Sequence, residues 1–558
     1  MPTTPPAHRP IRFYFQGRIT EVNDAPATRS VLDWLREDRR CTGSKEGCNE
    51  GDCGACMVMV ADLPVDPAAS AADLLPAALG EAAATPAIRL RAMNACLMFL
   101  PTLDGKALYT VEDLQHGAAL HPGQQALVDC HGSQCGFCTP GFAVSLAAFH
   151  ATRCAPNDAP TNPPQGRAAP AALRQQLADA LAGNLCRCTG YRPILDAGER
   201  MFTLPAARPL VDRAALAAAL TTLAQDAPLH YAAPAVGQPP AAAPDNFHAP
   251  RSSAELAALR AARPGIRLLG GATDVGLWVN KGFKALGDIA YIGRAADLGR
   301  IEAVPAADEQ PATLRIGAAV SLEDAWRALA GHWPELTEVW RRFASPPVRH
   351  AGTLVGNLAN GSPIGDTPPV AIALGASLVL RQGESERRLR LEDFYLDYMK
   401  NALAPGEFVS HVELPLPSNA ATQGERTLLR AWKISKRYDS DISALCAGLW
   451  LQLGGDGKVA DVRLAFGGMA ATVRRASRAE AALRGQPWSE ASVRAAMAAL
   501  PDDYAPLTDL RATRDYRLKV AANLLWRLWL ERGTPALDAS RTQVWVARGL
   551  LTPAAVGA

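Results

Sequence analysis

Apolar and polar residues alternate near the start of the chain, over residues 11–19, which is typical of a β-hairpin. Residues 30–36 then place apolar side chains at helical spacing behind Ser30, a residue type that favours a helix N-cap. An apolar run at residues 57–60 predicts a buried strand. Together these elements predict a small α+β domain over residues 1–105.

The pattern becomes helical after this domain. Residues 141–150 and 171–182 are apolar-periodic segments of helical length, and Pro170 suits the start of the second one. Between them, residues 153–169 are rich in Pro, Asn, Asp and Gly and predict a loop. We therefore expect a mostly helical domain over residues 106–205.

The rest of the chain divides at a proline-rich stretch. Repeated Ala-Pro and Pro-Pro steps predict a linker over residues 206–245. Strand and helix patterns then alternate, which predicts one domain over residues 246–422 and a last α+β domain over residues 423–558, with helices near 477–483 and 514–532. The predicted fold class is therefore multidomain α+β, since 558 residues are too many for one core.

Composition narrows the functional classes. A net charge of +2 gives no basic excess for binding nucleic acid, and no apolar run approaches a membrane span. The first residues carry no export signal, so a cytoplasmic location is expected. Eleven of the 12 cysteines lie before residue 190. Because cytoplasmic cysteines stay reduced, this grouping indicates metal binding rather than disulfides.

Thiols and glycines crowd one short stretch, residues 48–56, at the C-x4-C-x2-C spacing of a plant-type [2Fe–2S] cluster. The glycines permit the positive φ angles that a backbone wrapped around a cluster needs. Structural zinc is the alternative, but zinc sites usually use two short motifs far apart, so the spacing favours iron–sulfur. The expected ligands are Cys48, Cys53, Cys56 and, as the best candidate for the fourth, Cys96.

A second grouping combines C-x2-C with C-x-C, at Cys135, Cys138, Cys186 and Cys188. Positions i and i+2 of a helix point to different sides, so the C-x-C pair is expected in a turn. Spacing alone leaves zinc open here, but a second redox cluster is the more coherent interpretation beside the first motif. The remaining thiols lack partners at ligand spacing and are expected to be small buried or incidental side chains: Cys41, Cys130, Cys154 and Cys446.

Glycine-rich loops suggest a further cofactor. The loop at residues 270–276 follows a strand and exposes backbone N–H groups that suit a pyrophosphate, although a plain turn after a strand is the commoner meaning of such a loop. It is not the G-x-G-x-x-G motif of dinucleotide-binding folds. In the second loop, residues 352–366, Asp366 is equally suited to a ribityl or ribose hydroxyl and to a helix N-cap.

The motifs occur in the order C-x4-C-x2-C, C, QCGFCTPG, CRCTGYRP, GGATD, GTLVGN and SPIGD. In this order the chain resembles, over nearly its whole length, the small subunits of bacterial xanthine dehydrogenases in the molybdenum hydroxylase family. The resemblance implies a β-grasp [2Fe–2S] ferredoxin domain, a helical-bundle [2Fe–2S] domain, a two-part α+β FAD-binding domain of the vanillyl-alcohol oxidase type and a C-terminal α+β domain.

The resemblance also implies roles for individual residues. The eight cysteines of the two motifs would hold the clusters, and Gln134 matches a glutamine beside the molybdenum cofactor. Residues 269–275 would line the FAD pyrophosphate, and Phe343 matches an aromatic residue near the flavin ring. The implied FAD-binding residues are Leu269, Gly270, Gly271, Ala272, Thr273, Asp274, Val275, Phe343, Thr353, Gly356, Asn357, Asp366 and Lys433.

By the same resemblance, the chain is an electron-transfer subunit without catalytic residues of its own. Electrons would leave a molybdenum cofactor on a large partner subunit during oxidation of hypoxanthine or xanthine to urate, pass through both clusters to FAD, and reduce NAD. A heterotetramer of two small and two large chains is the family expectation. The alternatives are the corresponding part of another hydroxylase, acting on an aldehyde, an aromatic acyl-CoA or carbon monoxide, and a non-enzymatic zinc-binding protein.

The chain departs from the family pattern at two kinds of position. The family usually has two glycines before Asn357, but here Val355 takes the place of the first, and its side chain is expected to crowd one backbone approach to FAD. The spacings from Cys56 to Cys96 and from Cys138 to Cys186 are also long. Both excesses fall in segments rich in Ala and Pro, which predicts surface insertions rather than lost ligands.

Overall fold

The structure is a computed structural model that describes residues 8–76, 85–154, 170–205, 209–239, 241–307, 311–417, 426–532, 537–538 and 541–542. From residue 155 onward, the predicted loop over residues 153–169 lies outside the described part. The predicted mixed, multidomain fold class is confirmed. Within the described ranges, no helix combines the length and the apolar character needed to cross a membrane.

The front of the chain forms a five-stranded sheet. Its elements are β1 (Ile11–Phe15), β2 (Arg18–Val22), α1 (Val31–Asp33), β3 (Met57–Asp62), β4 (Arg89–Asn94) and β5 (Ala107–Tyr109). The strand order is β2-β1-β5-β3-β4, with the predicted hairpin at one edge and β5 parallel to β1. As predicted, Ser30 caps α1, because its hydroxyl accepts a hydrogen bond from Asp33 N at 3.0 Å.

Both faces of this front sheet are buried. Met57, Met59 and Ala61 face the helical part, whereas Val58 and Val60 belong to a core shared with the next sheet in the chain. This alternation follows from the period of two in a β-strand. Because β5 lies inside the sheet, the sheet extends past residue 105, the predicted end of the first domain.

A group of helices covers one face of the front sheet. It consists of α2 (Pro122–Asp129), α3 (Thr139–Ala151), α4 (Pro170–Ala180) and α5 (Arg192–Arg200). α3 packs directly against β3. Its buried residues run without interruption over 141–149, which explains why the sequence shows an apolar run there. The two predicted helical segments correspond to α3 and α4.

The structure differs from the prediction of a linker over residues 206–245. This stretch contains α6 (Arg213–Ala224) and β6 (Leu229–Ala233). Leu216 and Leu220 lie on the buried side of α6. Alanine is the strongest helix former, and leucines four residues apart give α6 one apolar face. The Ala/Pro composition that suggested a linker therefore hides a packed helix and a strand, while residues 206–208 and 240 lie outside the described part.

β6 begins a four-stranded sheet with the order β6-β7-β9-β8. Its further elements are β7 (Asp245–Ala249), α7 (Ser253–Ala262), β8 (Arg267–Leu269), α8 (Val275–Asn280) and β9 (Ile289–Tyr291). β7, β9 and β8 are mutually parallel where they pair, so the loop after β8 opens at the carboxyl edge of this sheet. Ligands bind preferentially at this edge of parallel sheets.

A second, antiparallel sheet and six α-helices follow in the described part of the same unit. The strand order is β10-β11-β16-β12-β13. The elements are β10 (Ile301–Val304), β11 (Thr313–Gly317), α9 (Leu322–His332), α10 (Thr337–Arg342), α11 (Pro346–Ala351), α12 (Leu354–Asn360), α13 (Thr367–Ala373), β12 (Ser377–Gln382), β13 (Ser385–Arg390), α14 (Leu391–Phe394), β14 (Tyr395–Asp397), β15 (Lys400–Asn401) and β16 (Phe408–Pro415).

The last unit packs helices on one antiparallel sheet. Its elements are β17 (Arg426–Ile434), β18 (Leu445–Leu453), β19 (Val459–Gly467), β20 (Arg474–Arg475), α15 (Ser477–Leu483), α16 (Glu490–Asp503) and α17 (Arg514–Arg532). The sheet order follows the chain order. The helices predicted near residues 477–483 and 514–532 are confirmed as α15 and α17.

Candidate functional site

The first cysteine motif lies on the loop between α1 and β3. Pairing of β3 with β4 brings Cys56 beside Cys96, where Ala95 N donates to Cys56 O at 3.3 Å. Cys53 N donates to Cys48 Sγ at 3.3 Å on the same loop. The four predicted ligands therefore meet as two close thiol pairs, of which the Cys56–Cys96 pair is buried.

In each thiol pair of the first site, the hydrogen bond between the thiols lowers the pKa of one member and raises the pKa of the other, Cys53 or Cys96. Hydrogen bonding with Cys53 lowers the pKa of the Cys48 thiol to about 5. In the same way, Cys96 lowers the pKa of Cys56. Within the described residues, no three His, Cys, Asp or Glu side chains are grouped as a site for a single ion. Pairs of thiolates suit a cluster in which each of two irons takes two cysteines.

The backbone of this loop fits closely around the thiols. Gly51 and Gly54 have φ angles of +80° and +71°. A Cβ at Gly51 would lie 2.4 Å from Leu97 Cδ1, and one at Gly47 would lie 2.7 Å from Cys53 Sγ. A side chain at either position would displace Leu97 or the Cys53 thiol, which agrees with the close wrapping that a compact cluster needs.

The second cysteine motif joins two helix starts. Cys135 and Cys138 precede α3, and the C-x-C pair lies in a turn before α5, as the spacing predicts. The thiols again pair, Cys138 with Cys186 and Cys135 with Cys188. Cys135 and Cys188 are exposed, as is Gln134, so this site opens at the surface.

Apolar side chains surround the opening of the second site. Phe137, Leu185 and Tyr191 are 49%, 36% and 39% exposed. We call these three residues, with Gln134, the rim. Exposed apolar groups around a polar opening are typical of a surface that another macromolecule covers.

The two cysteine sites touch each other through their backbones. Leu185 N, next to Cys186, donates to Cys53 O at 2.9 Å. A Cβ at Gly54 would lie 2.3 Å from Gly183 O, and one at Gly141 would lie 2.1 Å from Gly54 O. One hydrogen bond therefore links a predicted ligand of the first site to the neighbour of a predicted ligand of the second.

A cavity of about 610 Å³ opens where the loop after β8 meets the loop around α12. Its size is in the range of pockets that hold small molecules. Predicted FAD-binding residues line it: Gly270, Gly271, Ala272, Thr273, Asp274, Val275, Phe343, Thr353, Gly356, Asn357, Asp366 and Lys433.

Leu269 is the predicted FAD-binding residue that the structure places elsewhere. Its side chain is fully buried in the core shared with the front sheet, and Leu268 lines the cavity instead. Neighbouring strand residues point to opposite faces, so only one of the two leucines can face the cavity. Sequence alone could not decide which, because both are leucine.

The two loops of the cavity wall pack closely against each other. A Cβ at Gly271 would lie 1.7 Å from Ala351 O, and one at Gly270 would lie 3.0 Å from Thr353 Oγ1. Asn357 Oδ1 is buried and has no hydrogen-bond partner among the described residues. Buried polar atoms normally have partners, so an acceptor in the cavity wall without one indicates a donor from a bound molecule.

A buried ion pair closes one end of the cavity. Lys433 Nζ lies 2.6 Å from Asp366 Oδ2, and Ser443 donates to the other carboxylate oxygen. Arg342 donates to Lys433 O at 2.8 Å. Asp366 is therefore held by a lysine, and does not act as a helix cap through its side chain. Sequence reasoning missed Ser443 as a cavity residue, because no motif surrounds it.

The side chain at Val355 packs into the core and contributes to the cavity wall. Two of the unassigned thiols, Cys41 and Cys446, are buried as expected. Cys446 lies directly behind the cavity and donates to Asp366 O at 3.7 Å.

Comparison with known proteins gives the domains of this chain. A model of a 2Fe-2S iron-sulfur cluster binding domain matches residues 13–100, and one of a [2Fe-2S] binding domain matches residues 110–199. The FAD binding domain in molybdopterin dehydrogenase matches residues 243–417, and the CO dehydrogenase flavoprotein C-terminal domain matches residues 430–532. These domains place the chain in the molybdenum hydroxylase family. It therefore has two [2Fe–2S] domains and an FAD-binding domain, and the zinc alternative for its cysteines is set aside.

Similar curated members of the family are much longer proteins. Xanthine dehydrogenase of Emericella nidulans is 29% identical over 88% of this chain and 36% of its own length. Xanthine dehydrogenase/oxidase of Gallus gallus is 27% identical over 86% of the chain and 36% of its own. Aldehyde oxidase 4 of Cavia porcellus is 26% identical over 94% of this chain and 40% of its own length. The chain thus spans little more than a third of these relatives.

Solved structures of the family match part of the chain. Carbon monoxide dehydrogenase from Hydrogenophaga pseudoflava is 27% identical, with a TM-score of 0.45 over 50% of this chain and 94% of that one. Quinoline 2-oxidoreductase from Pseudomonas putida 86 is 23% identical, with a TM-score of 0.45 over 52% of this chain and 98% of that one.

Proposed function

We propose that this chain is the iron–sulfur and FAD subunit of a xanthine dehydrogenase. It would receive electrons from a molybdenum site on a partner chain and pass them to NAD, while purine oxidation takes place on the partner. The relatives named xanthine dehydrogenase support this assignment, as does the presence of both [2Fe–2S] domains and the FAD-binding domain on one chain.

The position of the first cysteine loop carries the proposal. On one side, Cys53 O accepts from Leu185 N of the second site. On the other side, Cys96 O accepts from Asn280 Nδ2 at 2.8 Å, and Asn280 ends the helix that begins in the cavity wall. The first site therefore contacts both the second site and the helix that leads to the cavity, as a relay from the second site to the flavin requires.

The residues of the chain divide the work. The eight motif cysteines would hold two [2Fe–2S] clusters, which supply one-electron steps, and bound FAD would convert these into the two-electron hydride that NAD accepts. Gly270 and Gly271 line the cavity, and Asn357 Oδ1 offers an unused acceptor. The buried Lys433–Asp366 pair fixes a charge at one end of the cavity.

The rim is the proposed contact with the partner. Phe137, Leu185 and Tyr191 surround the thiols that open at the surface, and Gln134 lies beside them. A molybdenum-bearing chain seated here would place its cofactor next to the second site. A heterotetramer of two small and two large chains and a cytoplasmic location remain predictions.

Optical spectroscopy of the purified chain tests the proposal. We expect absorption from both flavin and [2Fe–2S] clusters, bleaching of both by NADH, and no oxidation of xanthine until the molybdenum-bearing chain is added. Xanthine oxidation by this chain alone would contradict the proposal, as would a colourless protein with about two zinc ions per chain.

A second candidate is the same subunit of another hydroxylase of this family. The relative named aldehyde oxidase favours it, because that match covers 94% of the chain. Assaying the assembled complex with xanthine, an aldehyde and carbon monoxide in parallel separates the candidates. Turnover of an aldehyde or carbon monoxide without turnover of xanthine would favour the second one.

A further inference from the structure

Two side chains at the end of α8 grip the loop that carries the first cysteine site. Asn280 Nδ2 donates to Cys96 O at 2.8 Å and to Asn49 Oδ1 at 3.2 Å. Lys281 Nζ donates to Cys48 O at 2.6 Å. The backbone carbonyls of two predicted ligands are thus bound by side chains from a different domain, the one that forms the cavity.

The hydrogen bonds from Asn280 also hold Asn49 in an unusual backbone conformation. Asn49, between the first two predicted ligands, has a φ angle of +54°, in the left-handed region that asparagine tolerates better than most residues. Its side-chain oxygen and its carbonyl both face Asn280 Nδ2. Without Asn280, the hydrogen bonds that Asn49 and Cys96 accept from the cavity-forming domain are lost.

The same helix reaches the cavity at its other end. Val275 and Trp278 line the cavity, and Gly276 packs so closely on Leu97 O that a Cβ there would lie 3.0 Å from it. A helix of this length spans about 9 Å. Asn280 and the cavity wall are therefore joined by continuous backbone over a short distance.

Lys281 brings a positive charge to a site that becomes more negative when it is reduced. Glu50 and Asp52 lie on the same loop and oppose this charge, with Glu50 Oε2 4.0 Å from Lys281 Nζ. Asp52 in turn interacts with Arg437. Charge and hydrogen bonds beside an iron–sulfur cluster set its reduction potential. A lysine at this position stabilises the reduced cluster and raises that potential.

We propose that Asn280 and Lys281 are positioning residues through which the flavin-binding domain sets the potential of the first cluster and couples it to the flavin. This inference rests on the proposed relay function. It assigns the two residues separate tasks: Lys281 makes the first cluster a better electron acceptor from the second site, and Asn280 holds its ligand loop against the helix that leads to the cavity.

An EPR-monitored redox titration of the flavin-loaded full chain measures the reduction potential of each cluster and tests the role of Lys281. In Lys281→Met, the electron distribution between the clusters should shift about tenfold toward the second one, equivalent to about 59 mV for one electron. In Lys281→Arg, which keeps the positive charge, the potential of the first cluster should stay close to the wild-type value. Lys284→Met removes a neighbouring charge that lies over Trp278, and serves as the matched control.

The rate of cluster reduction tests Asn280. In Asn280→Leu, NADH should reduce the flavin at the normal rate, whereas reduction of the first cluster should be about tenfold slower. Photochemical reduction of the flavin replaces NADH if NADH is not a donor. A normal rate of cluster reduction in Asn280→Leu would overturn the coupling role.

Other outcomes are equally decisive. A potential in Lys281→Met equal to that in Lys284→Met overturns the inference, and so does loss of the first cluster from both Lys281→Met and Lys281→Gln, because a tuning role leaves the cluster in place. A wild-type chain without [2Fe–2S] signals would instead contradict the proposed function.

Discussion

Gly271 has almost no room around its Cα. The chain passes so close to α11 that a Cβ would lie 1.7 Å from Ala351 O and 2.6 Å from Gly352 Cα. Both obstacles are backbone atoms, which cannot rotate away as a side chain can. The two loops that form the cavity wall are therefore in direct backbone contact at this residue.

We expect Gly271→Ala to lose FAD while keeping both clusters, because the added methyl group must push the two loops apart. Flavin content per chain, measured by absorbance after denaturation, should fall at least tenfold, and the [2Fe–2S] EPR signals should remain. Gly265→Ala is the matched control, since no atom lies within 4 Å of its added Cβ. Normal flavin content in Gly271→Ala would show that the contact between the two loops does not shape the FAD site.

At the scale of single residues, residue types and their spacing predict where the sites lie, but they do not predict how individual side chains are oriented or paired. Thiols at ligand spacing and glycines after a strand mark the two cysteine sites and the cavity. The choice between Leu268 and Leu269 depends on the phase of one strand, and the Lys433–Asp366 pair joins residues 67 positions apart. Neither leaves a local pattern in the sequence.

One carboxylate holds together the helices behind the cavity. Glu323, on α9, accepts from Arg349 Nε of α11 at 2.6 Å and from Trp340 Nε1 of α10 at 3.3 Å. Burial alone would raise the pKa of Glu323, but Arg349, His350 and Arg327 hold it well below its usual value of 4.5. α11 in turn packs against β4 of the front sheet.

Removing this carboxylate should destabilise the cavity-forming domain. Glu323→Gln leaves the guanidinium of Arg349 buried without its counter-ion, which costs about 3–5 kcal/mol. Denaturant unfolding at neutral pH should show this loss. The exposed pair of Glu490 with Arg494 gives the control, since Glu490→Gln should change stability by less than about 0.5 kcal/mol.

The pH dependence should follow from the same pKa. Because the folded-state pKa of Glu323 is depressed, its stabilisation is complete above 4.5 and is lost as pH falls below that value. The difference between wild type and Glu323→Gln should therefore shrink on acidification. A difference that does not change between neutral pH and pH of about 3 would contradict the ion-pair explanation.

Elements with strong apolar periodicity or clear caps could be predicted from the sequence. Where the prediction relied on composition instead of periodicity, it was wrong. The cap at Ser30 and helices α15 and α17 follow from local signals. α6 does not, because its alanines and flanking prolines resemble a linker, and only packing of its leucines shows a helix. β5 is missed as part of the front sheet because it joins by non-local pairing.

At the scale of the whole molecule, the rim is an exposed apolar surface beside a cysteine site. Phe137 packs near Gly47 of the first site and still exposes 49% of its surface. A buried aromatic anchor at the centre of an interface often contributes 2 kcal/mol or more.

We expect Phe137→Asp to weaken binding of the molybdenum-bearing chain by about 30-fold or more, since a charge would replace that anchor. Titration calorimetry with the purified partner measures this, and unchanged EPR signals show that both clusters are retained. Leu507→Asp, at a leucine 80% exposed in the last unit, is the control. Equal affinity of Phe137→Asp and wild type would exclude the rim as the contact.

The three cofactor domains close a triangle of contacts. The helices pack on the front sheet through α3 and β3, and the front sheet meets the flavin domain through α11 and β4. The third side is direct as well, since Arg341 lies 3.4 Å from Asp179 and a Cβ at Gly183 would lie 2.8 Å from Ser345. Domains joined in a line can swing about each joint, whereas a closed triangle has no hinge. Electrons would then pass between sites at fixed distances, and the rate of turnover would not depend on the movement of a domain between its electron donor and its electron acceptor.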